Sequence, residues 1–231
     1  VAKADIGKTA IITPFGLFEF VRLPFGLRNA GMTFQRLMDS LLGGLPFAFI
    51  YLDDILVASP DPISHRRHLA AVFSILHQNG LVVNSEKCLF GYTEVEFLGH
   101  LISASGSSPI PTRIEAIASF PQPDTVKQLQ GFLGLFNFYR RFVKSAARLI
   151  LPLTRALRGS PKGHQRLLWS AEMLAAFSAA RRALATVAVL DHPASEAPLS
   201  LVTDASASHV GAVIQQKRPG QGWRPLGLSL I

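Results

Sequence analysis

Cysteine is nearly absent, with Cys88 the single one in 231 residues. That excludes an internal disulfide framework and any four-cysteine zinc site. Charged residues make up only 16% of the chain while 48% is hydrophobic. Such a balance excludes disorder as the overall state, because enough apolar surface exists to offset the entropy lost on folding. Long apolar runs are missing too: the longest, Leu45 to Leu52, has the length of a buried strand and falls far short of a membrane span. There is no signal peptide and no Asn-x-Ser/Thr sequon. An intracellular chain, cytoplasmic or nuclear and away from membranes, is the expectation. The first residue is Val1 rather than Met, and Leu230-Ile231 stops in mid-pattern, so the chain reads as a fragment.

What is present is unevenly placed. The net charge is +8. Residues 1–111 carry 8 Lys and Arg against 9 Asp and Glu, residues 112–182 carry 12 against 3, and residues 183–231 carry 3 of each. The excess therefore lies in the middle third, where clustered cations would release counterions on meeting a polyanion. A solvated basic helix face is the competing explanation, and charge alone does not choose between them.

Periodicity outlines the elements. Thr9 to Leu23 alternates around Pro14-Phe15-Gly16, predicting two short strands and a turn. Phe34, Leu37, Met38, Leu41 and Leu42 predict a helix with Asn29 as N-cap and Gly43-Gly44 as stop. Phe47 to Ala58 is apolar on both sides of Asp53-Asp54, which predicts a hairpin with two carboxylates at its tip. A helix over Ser64 to Asn79 closes at Gly80, and strands follow at Leu81–Val83 and Val95–Ile102. Ser105 to Pro111 is rich in Gly, Ser and Pro and predicts a boundary. Further helices are expected from Thr125 to Phe142, Ser145 to Leu157 and Ala171 to Ala185, with Gly159 to Gly163 as a linker. Strands at Leu199–Thr203 and Gly211–Gln215 would open another domain.

Two adjacent carboxylates between apolar strands are costly unless a cation neutralises them. Asp53 and Asp54 suit Mg²⁺, which takes oxygen ligands and leaves room for substrate phosphates. A bare Asp-Asp pair is more often a plain turn. His65, His68, His77 and His100 lack a second cysteine, and His-Arg-Arg-His matches no closed zinc spacing.

The flanks sharpen this. Tyr51-Leu52-Asp53-Asp54 resembles the Tyr-x-Asp-Asp signature of reverse transcriptases. ITPFGLFEFVRLPFGLRNAGMTFQRLMD, FIYLDDILVAS, GLVVNSEKCLF, VEFLGHLIS, FPQPDTVKQLQGFLGLFNFYRRFV, AFSAARRALATVAVLDHP and LVTDAS…GAVIQQ then stand in the family's order and spacing. Across nearly its whole length the chain resembles the pol polyprotein of gypsy-type LTR retrotransposons. The resemblance implies a mixed α/β (α+β) fold: a palm with an antiparallel sheet, a helical thumb, and the opening strands of a ribonuclease H-like domain. It implies partial fingers and palm over 1–104, thumb over 105–160, and a linker helix with the start of the ribonuclease H-like domain over 161–231.

It also implies roles. Asp53 is the principal metal ligand and Asp54 the accessory one, with Mg²⁺ or Mn²⁺ as cofactor. Tyr51 and Leu52 pack on the primer terminus, Phe25 and Gly26 contact dNTP and template, and Gln35 supports the site. Lys87 protonates departing pyrophosphate or steadies the triphosphate, and Gly99, in Phe97-Leu98-Gly99-His100, belongs to a primer-grip hairpin. Arg140, Arg141, Lys144 and Arg148, expected on thumb helices, meet duplex phosphates without reading sequence. Asp204 is a metal ligand of a second, hydrolytic site. The implied partners are an RNA or DNA template-primer, dNTPs and the rest of the pol polyprotein, within a retroelement particle.

The pattern departs from the family in places. The family's first catalytic aspartate would lie upstream of Val1, and Asp5 aligns to a loop and is no substitute. The triphosphate-binding fingers residues and the later ribonuclease H carboxylates are likewise missing. Gly31 stands where proline or alanine is commoner, and GLSLI replaces an expected Tyr-x-Ser-Arg. The expectation is therefore an RNA-directed DNA polymerase and ribonuclease H lineage whose 231 residues alone lack both activities. A non-catalytic nucleic-acid-binding remnant, or a pseudogene product that never folds stably, are the alternatives.

Overall fold

In the computed structural model, which describes residues 1–185, 189–194, 196–205, 210–220 and 222–230, every strand pairs antiparallel with its neighbour in sequence. The chain forms two compact units, Val1–Gly91 and Tyr92–Ile231.

In the first unit, β1 (Ile11–Thr13) and β2 (Gly16–Phe18) form the expected short hairpin. Helix α1 (Ala30–Leu42), hairpin β3 (Ala48–Tyr51) and β4 (Asp54–Val57), and helix α2 (Pro62–Gln78) follow. Met38 and Leu42 of α1, Ala48 of β3, and Val72 and Leu76 of α2 form the core. Helix α2 is well started: the Asp61 Oδ1 accepts from the backbone N–H of Ile63 and Ser64, both at 2.9 Å, and Pro62 takes the first position. Its carboxyl is held below the usual range chiefly by the Ser64 hydroxyl. Asn29 does sit at the start of α1, yet its side chain caps nothing; its carbonyl instead accepts from the Thr33 N–H and hydroxyl. Leu81–Val83 is not a strand, since among the described residues no strand pairs with it to form a ladder, and Val82 is exposed. The Leu81 N–H closes α2 by donating to the Leu76 carbonyl, and a 3₁₀ turn follows at Ser85–Lys87.

The second unit opens with a three-stranded meander, β5 (Glu94–Phe97), β6 (His100–Ser103) and β7 (Gly106–Pro109). Strand β7 occupies the stretch expected to be a boundary loop. Its glycine serves close packing: a Cβ on Gly106, at φ +134°, would lie 2.2 Å from the Leu190 carbonyl oxygen. Helix α3 (Pro111–Ala118), not anticipated, starts on Pro111, a favoured first helical residue. Helix α4 (Val126–Tyr139) begins with a capping box between Thr125 and Gln128. Its next free N–H groups, on Val126 and Lys127, donate to the carbonyls of Gln165 and Gly163. The Gly159–Gly163 linker thus ends in a segment tied to α4.

Helices α5 (Ala146–Arg155) and α6 (Ala171–Ala185) complete the bundle. Leu129, Phe132, Leu133, Phe136 and Tyr139 of α4 pack with Ile150 and Leu153 of α5 and Phe177, Ala180 and Leu184 of α6. A second meander, β8 (Leu199–Ala205), β9 (Val210–Arg218) and β10 (Gly222–Leu230), ends the chain; β10 was not foreseen.

Gly106 and Gly131 should respond oppositely to alanine. At Gly106 backbone strain and the clash with a carbonyl should cost about 2 kcal/mol or more. Gly131 lies inside α4 with nothing within 4 Å of its added Cβ, so Gly131→Ala should gain about 0.5–1 kcal/mol. Urea denaturation of the two variants measures both.

Candidate active site on the acidic hairpin

The register of β3 and β4 pairs Tyr51 with Asp54, leaving Leu52 and Asp53 as the two turn residues. Leu52 adopts φ +50°, a left-handed conformation that this kind of two-residue turn needs and that leucine rarely takes. The Gln35 side chain of α1 holds that turn. Its Oε1 accepts the Leu52 N–H at 2.6 Å, and its Nε2 donates to Asp39 Oδ1 at 2.8 Å and to the Ile50 carbonyl at 3.3 Å. Asp39 therefore fixes which way the amide faces. Sequence reasoning missed Asp39, although its four-residue spacing from Gln35 on one helix face was a usable signal. Gly31, on the first turn of α1, lies under the same hairpin, where an added Cβ would stand 3.6 Å from Leu52 Cδ2.

Asp53 and Asp54 are both exposed, one in the turn and one opening β4, and among the described residues neither carboxylate has a hydrogen bond or ion pair. Two free carboxylates on a pinned turn are hard oxygen donors of the kind Mg²⁺ takes one or two at a time. No group of three His, Cys, Asp or Glu converges among the described residues. Asp5 is engaged elsewhere, at 2.6 Å from Lys8 Nζ, a contact that lowers its carboxyl and raises the lysine.

Tyr51, 54% exposed, projects beside the turn. Phe25 and Gly26 line an open groove of about 600 Å³ with Thr9, Ile11, Phe20 and Arg22. Gly26 has φ +89° with no atom within 4 Å of an added Cβ, so backbone there is bare. Lys87 ends the 3₁₀ turn, exposed. Ser59 Oγ lies 3.1 Å from His65 Nδ1 and 2.8 Å from His68 Nδ1, and the His68 ring stacks on Phe47 at 3.6 Å.

In the second unit Gly99, at φ +77°, is the turn between β5 and β6. Its carbonyl accepts the Tyr139 hydroxyl at 2.9 Å, and an added Cβ would meet Phe138 at 2.7 Å. His100 stacks on Phe138 at 5.0 Å and faces Tyr139 and Phe142, with its Nδ1 buried and unpartnered. The basic residues differ from expectation in one respect. Arg140 and Arg141 sit in a 3₁₀ turn and Lys144 in the turn after it, leaving only Arg148 on a helix. Helix α4 ends there because Tyr139 and Phe142 both turn inward to the core. All four remain exposed, and Arg141 lies over the Phe142 ring at 4.9 Å. The Asp204 backbone pairs with Gly211 in β8–β9, and its side chain lies outside the described residues.

An acidic turn steadied by a neighbouring helix, a helical bundle and an antiparallel meander match known families in the same order. Residues 2–102 match the reverse transcriptase (RNA-dependent DNA polymerase) family, and 169–229 the RNase H-like domain found in reverse transcriptase. A foamy viral protease-reverse transcriptase solved with an RNA/DNA hybrid superposes at TM-score 0.87 and 28% identity, covering 100% of this chain and 31% of that one. The fold is that of a reverse transcriptase palm and thumb leading into an RNase H-like sheet.

More narrowly, nearly the whole chain is similar to part of the pol polyproteins of gypsy-type retrotransposons. It is 37% identical over 233 residues to the retrovirus-related Pol polyprotein from transposon opus, and 35% over 227 residues to that from transposon gypsy, both of Drosophila melanogaster. Those alignments cover 97% and 94% of this chain but 23% and 22% of the relatives, so it spans less than a quarter of their length.

Two measurements test this geometry. Gln35→Leu should cost about 1–3 kcal/mol, by stranding the Leu52 N–H, and speed exchange of that amide at least about tenfold. Burial, with Arg141 second, pushes His100 from 6.5 down to about 4. The unfolded chain then binds this proton more readily than the folded one, so stability is whole above pH 6.5 and falls as pH drops toward 4. In urea titrations His100→Phe should flatten the pH 6.5–5 part of the second unit's profile.

Proposed function

We propose that this chain serves an RNA-directed DNA polymerase and ribonuclease H, with the hairpin carrying Asp53 and Asp54 at the site of nucleotidyl transfer. The pinned turn with two unpaired carboxylates is the observation that carries this reading. Asp53 and Asp54 would hold Mg²⁺ or Mn²⁺, which when bound supplies charge neutralisation at the attacking 3′-hydroxyl and the leaving pyrophosphate.

The chain's own residues would do the rest. Tyr51 and Leu52 support the primer terminus, and the bare backbone at Gly26 beside Phe25 lets nucleotide and template approach closely. Gln35 keeps the turn in register, so the carboxylates are positioned before substrate arrives. Lys87 would give a proton to pyrophosphate, and the Gly99 hairpin would steady the primer backbone. Arg140, Arg141, Lys144 and Arg148 would neutralise duplex phosphates without sequence preference. Asp204 would serve a second, hydrolytic metal site. The domain plan that accompanies this reading is fingers and palm over 1–104, thumb over 105–160, and linker helix with RNase H-like strands over 161–231. The setting would be a retroelement particle, cytoplasmic or nuclear; no helix among the described residues is long and apolar enough to cross a membrane.

The same reading makes the 231 residues catalytically silent by themselves, because among the described residues no third acidic ligand joins the two carboxylates, and two alone bind a cation weakly. A non-catalytic nucleic-acid-binding role is favoured by one further observation, the exposed cations of the bundle.

Primer extension on an RNA template with Mg²⁺ and dNTPs should give no product with this chain; extension that Asp53→Asn abolishes would overturn the silence. Mn²⁺-induced NMR broadening centred on residues 51–54, and lost in Asp53→Asn, would support the polymerase site over the binding remnant. Duplex binding should weaken with salt, and Arg148→Ala should lower that salt slope by about one. No binding at all would sink both readings.

A further inference from the structure

We propose that Asp191, with Gln216 and Arg218, is a positioning joint that locks the RNase H-like sheet β8–β10 to the meander β5–β7. The functional consequence, one duplex gripped by the β5–β6 turn and presented to the RNase H-like sheet at constant spacing, rests on the reading above; the joint itself does not.

The connecting segment Leu190–His192 is bonded on both sides. The Leu190 backbone and the His192 ring reach the first meander. The Ser107 N–H donates to the Leu190 carbonyl at 2.8 Å, and the Leu190 N–H returns to the Ser107 carbonyl at 2.9 Å. His192 Nε2 donates to the Ser103 carbonyl at 2.7 Å; a carbonyl only accepts, so the proton sits on Nε2. The missing Cβ of Gly106 is what lets Leu190 come this close.

Asp191, between them, turns to the second meander. Its N–H donates to the Pro225 carbonyl in β10 at 2.9 Å. Its carboxylate accepts both ends of the Arg218 fork from β9, Nε at 2.9 Å and a terminal nitrogen at 3.2 Å. Arg218 also donates to the His192 carbonyl at 2.8 Å. Gln216, fully buried, donates its amide to Asp191 Oδ2 and to the His192 carbonyl and accepts the Ala194 N–H at 2.8 Å. The Gln216 amide therefore has all three of its polar bonds to residues 191–194, and the Arg218 bond lowers the Asp191 carboxyl below its usual range. A half-buried, bidentate pair joined to a buried amide is geometrically exacting, so it specifies orientation more than it adds stability.

The test uses the 231-residue chain with Cys88→Ser and spin labels at Glu94→Cys in β5 and Lys217→Cys in β9, both exposed. Electron–electron distance measurement should give one narrow peak. Asp191→Ala should lose that peak to a broad distribution while amides of β6 and β9 stay protected from exchange, showing that both sheets persist. A narrow, unshifted peak in Asp191→Ala, or a broad one in the parent, would overturn the joint. If Asp191→Ala unfolds β8–β10, Arg218→Gln decides, because it removes the fork from the Asp191 carboxylate and leaves the Gln216 bonds in place: broadening supports the joint and an unchanged peak refutes it. Failure of primer extension or duplex binding leaves this result unaffected, so the two proposals fail separately.

Discussion

The Leu52 N–H must be satisfied inside a two-residue turn that already places a leucine at φ +50°, a conformation that costs roughly 1 kcal/mol or more unless its surroundings hold it. Gln35 does so from α1, and Asp39 holds Gln35. Without this bond the carboxylates of Asp53 and Asp54, which find no partner of their own among the described residues, would ride on a turn free to slip. Helix α1 is in turn fixed by Met38 and Leu42 against Ala48 and the α2 residues Val72 and Leu76. The small core of the first unit therefore acts through one side-chain amide on the place where chemistry is proposed.

The second unit solves a different problem, holding a hairpin turn and a row of cations on one scaffold. Tyr139 bonds the Gly99 carbonyl from α4, while Phe138 and Phe142 flank His100. The aromatic run of α4 is thus shared between the core and the hairpin, and the chain leaves the helix at Arg140 just where Phe142 turns inward. Arg140 and Arg141 emerge from that break, so their exposure follows from packing that has no electrostatic purpose.

Much of this was legible in the residues. The acidic hairpin, α2 with its Gly80 stop, the Thr125 cap and the span of α6 all follow from local rules of alternation, capping and glycine conformation. Four strand assignments were not. Val95–Ile102, expected as one strand, turns back at Leu98-Gly99 to give β5 and β6, both residues taking positive φ. Leu81–Val83 has strand-like residues but no partner, while Gly106–Pro109 has loop-like residues and gains partners from β6 and Leu190. Strand β10 follows Arg218 and carries Pro225, a residue that argues against a strand when read alone. Pairing is a property of what lies alongside, which composition does not carry.

The sequence by itself determined the class of fold, the order of the elements and the pair of aspartates, because these depend on local pattern and on motifs whose spacing is printed in the chain. Only the tertiary structure decided that Gln35 reaches Leu52 seventeen residues away, that Asp39 orients it, and that Asp191 answers Arg218 across twenty-seven. Those bonds join groups that are distant along the chain, and no local rule says which polar atom a folded backbone will bring within 3 Å of another.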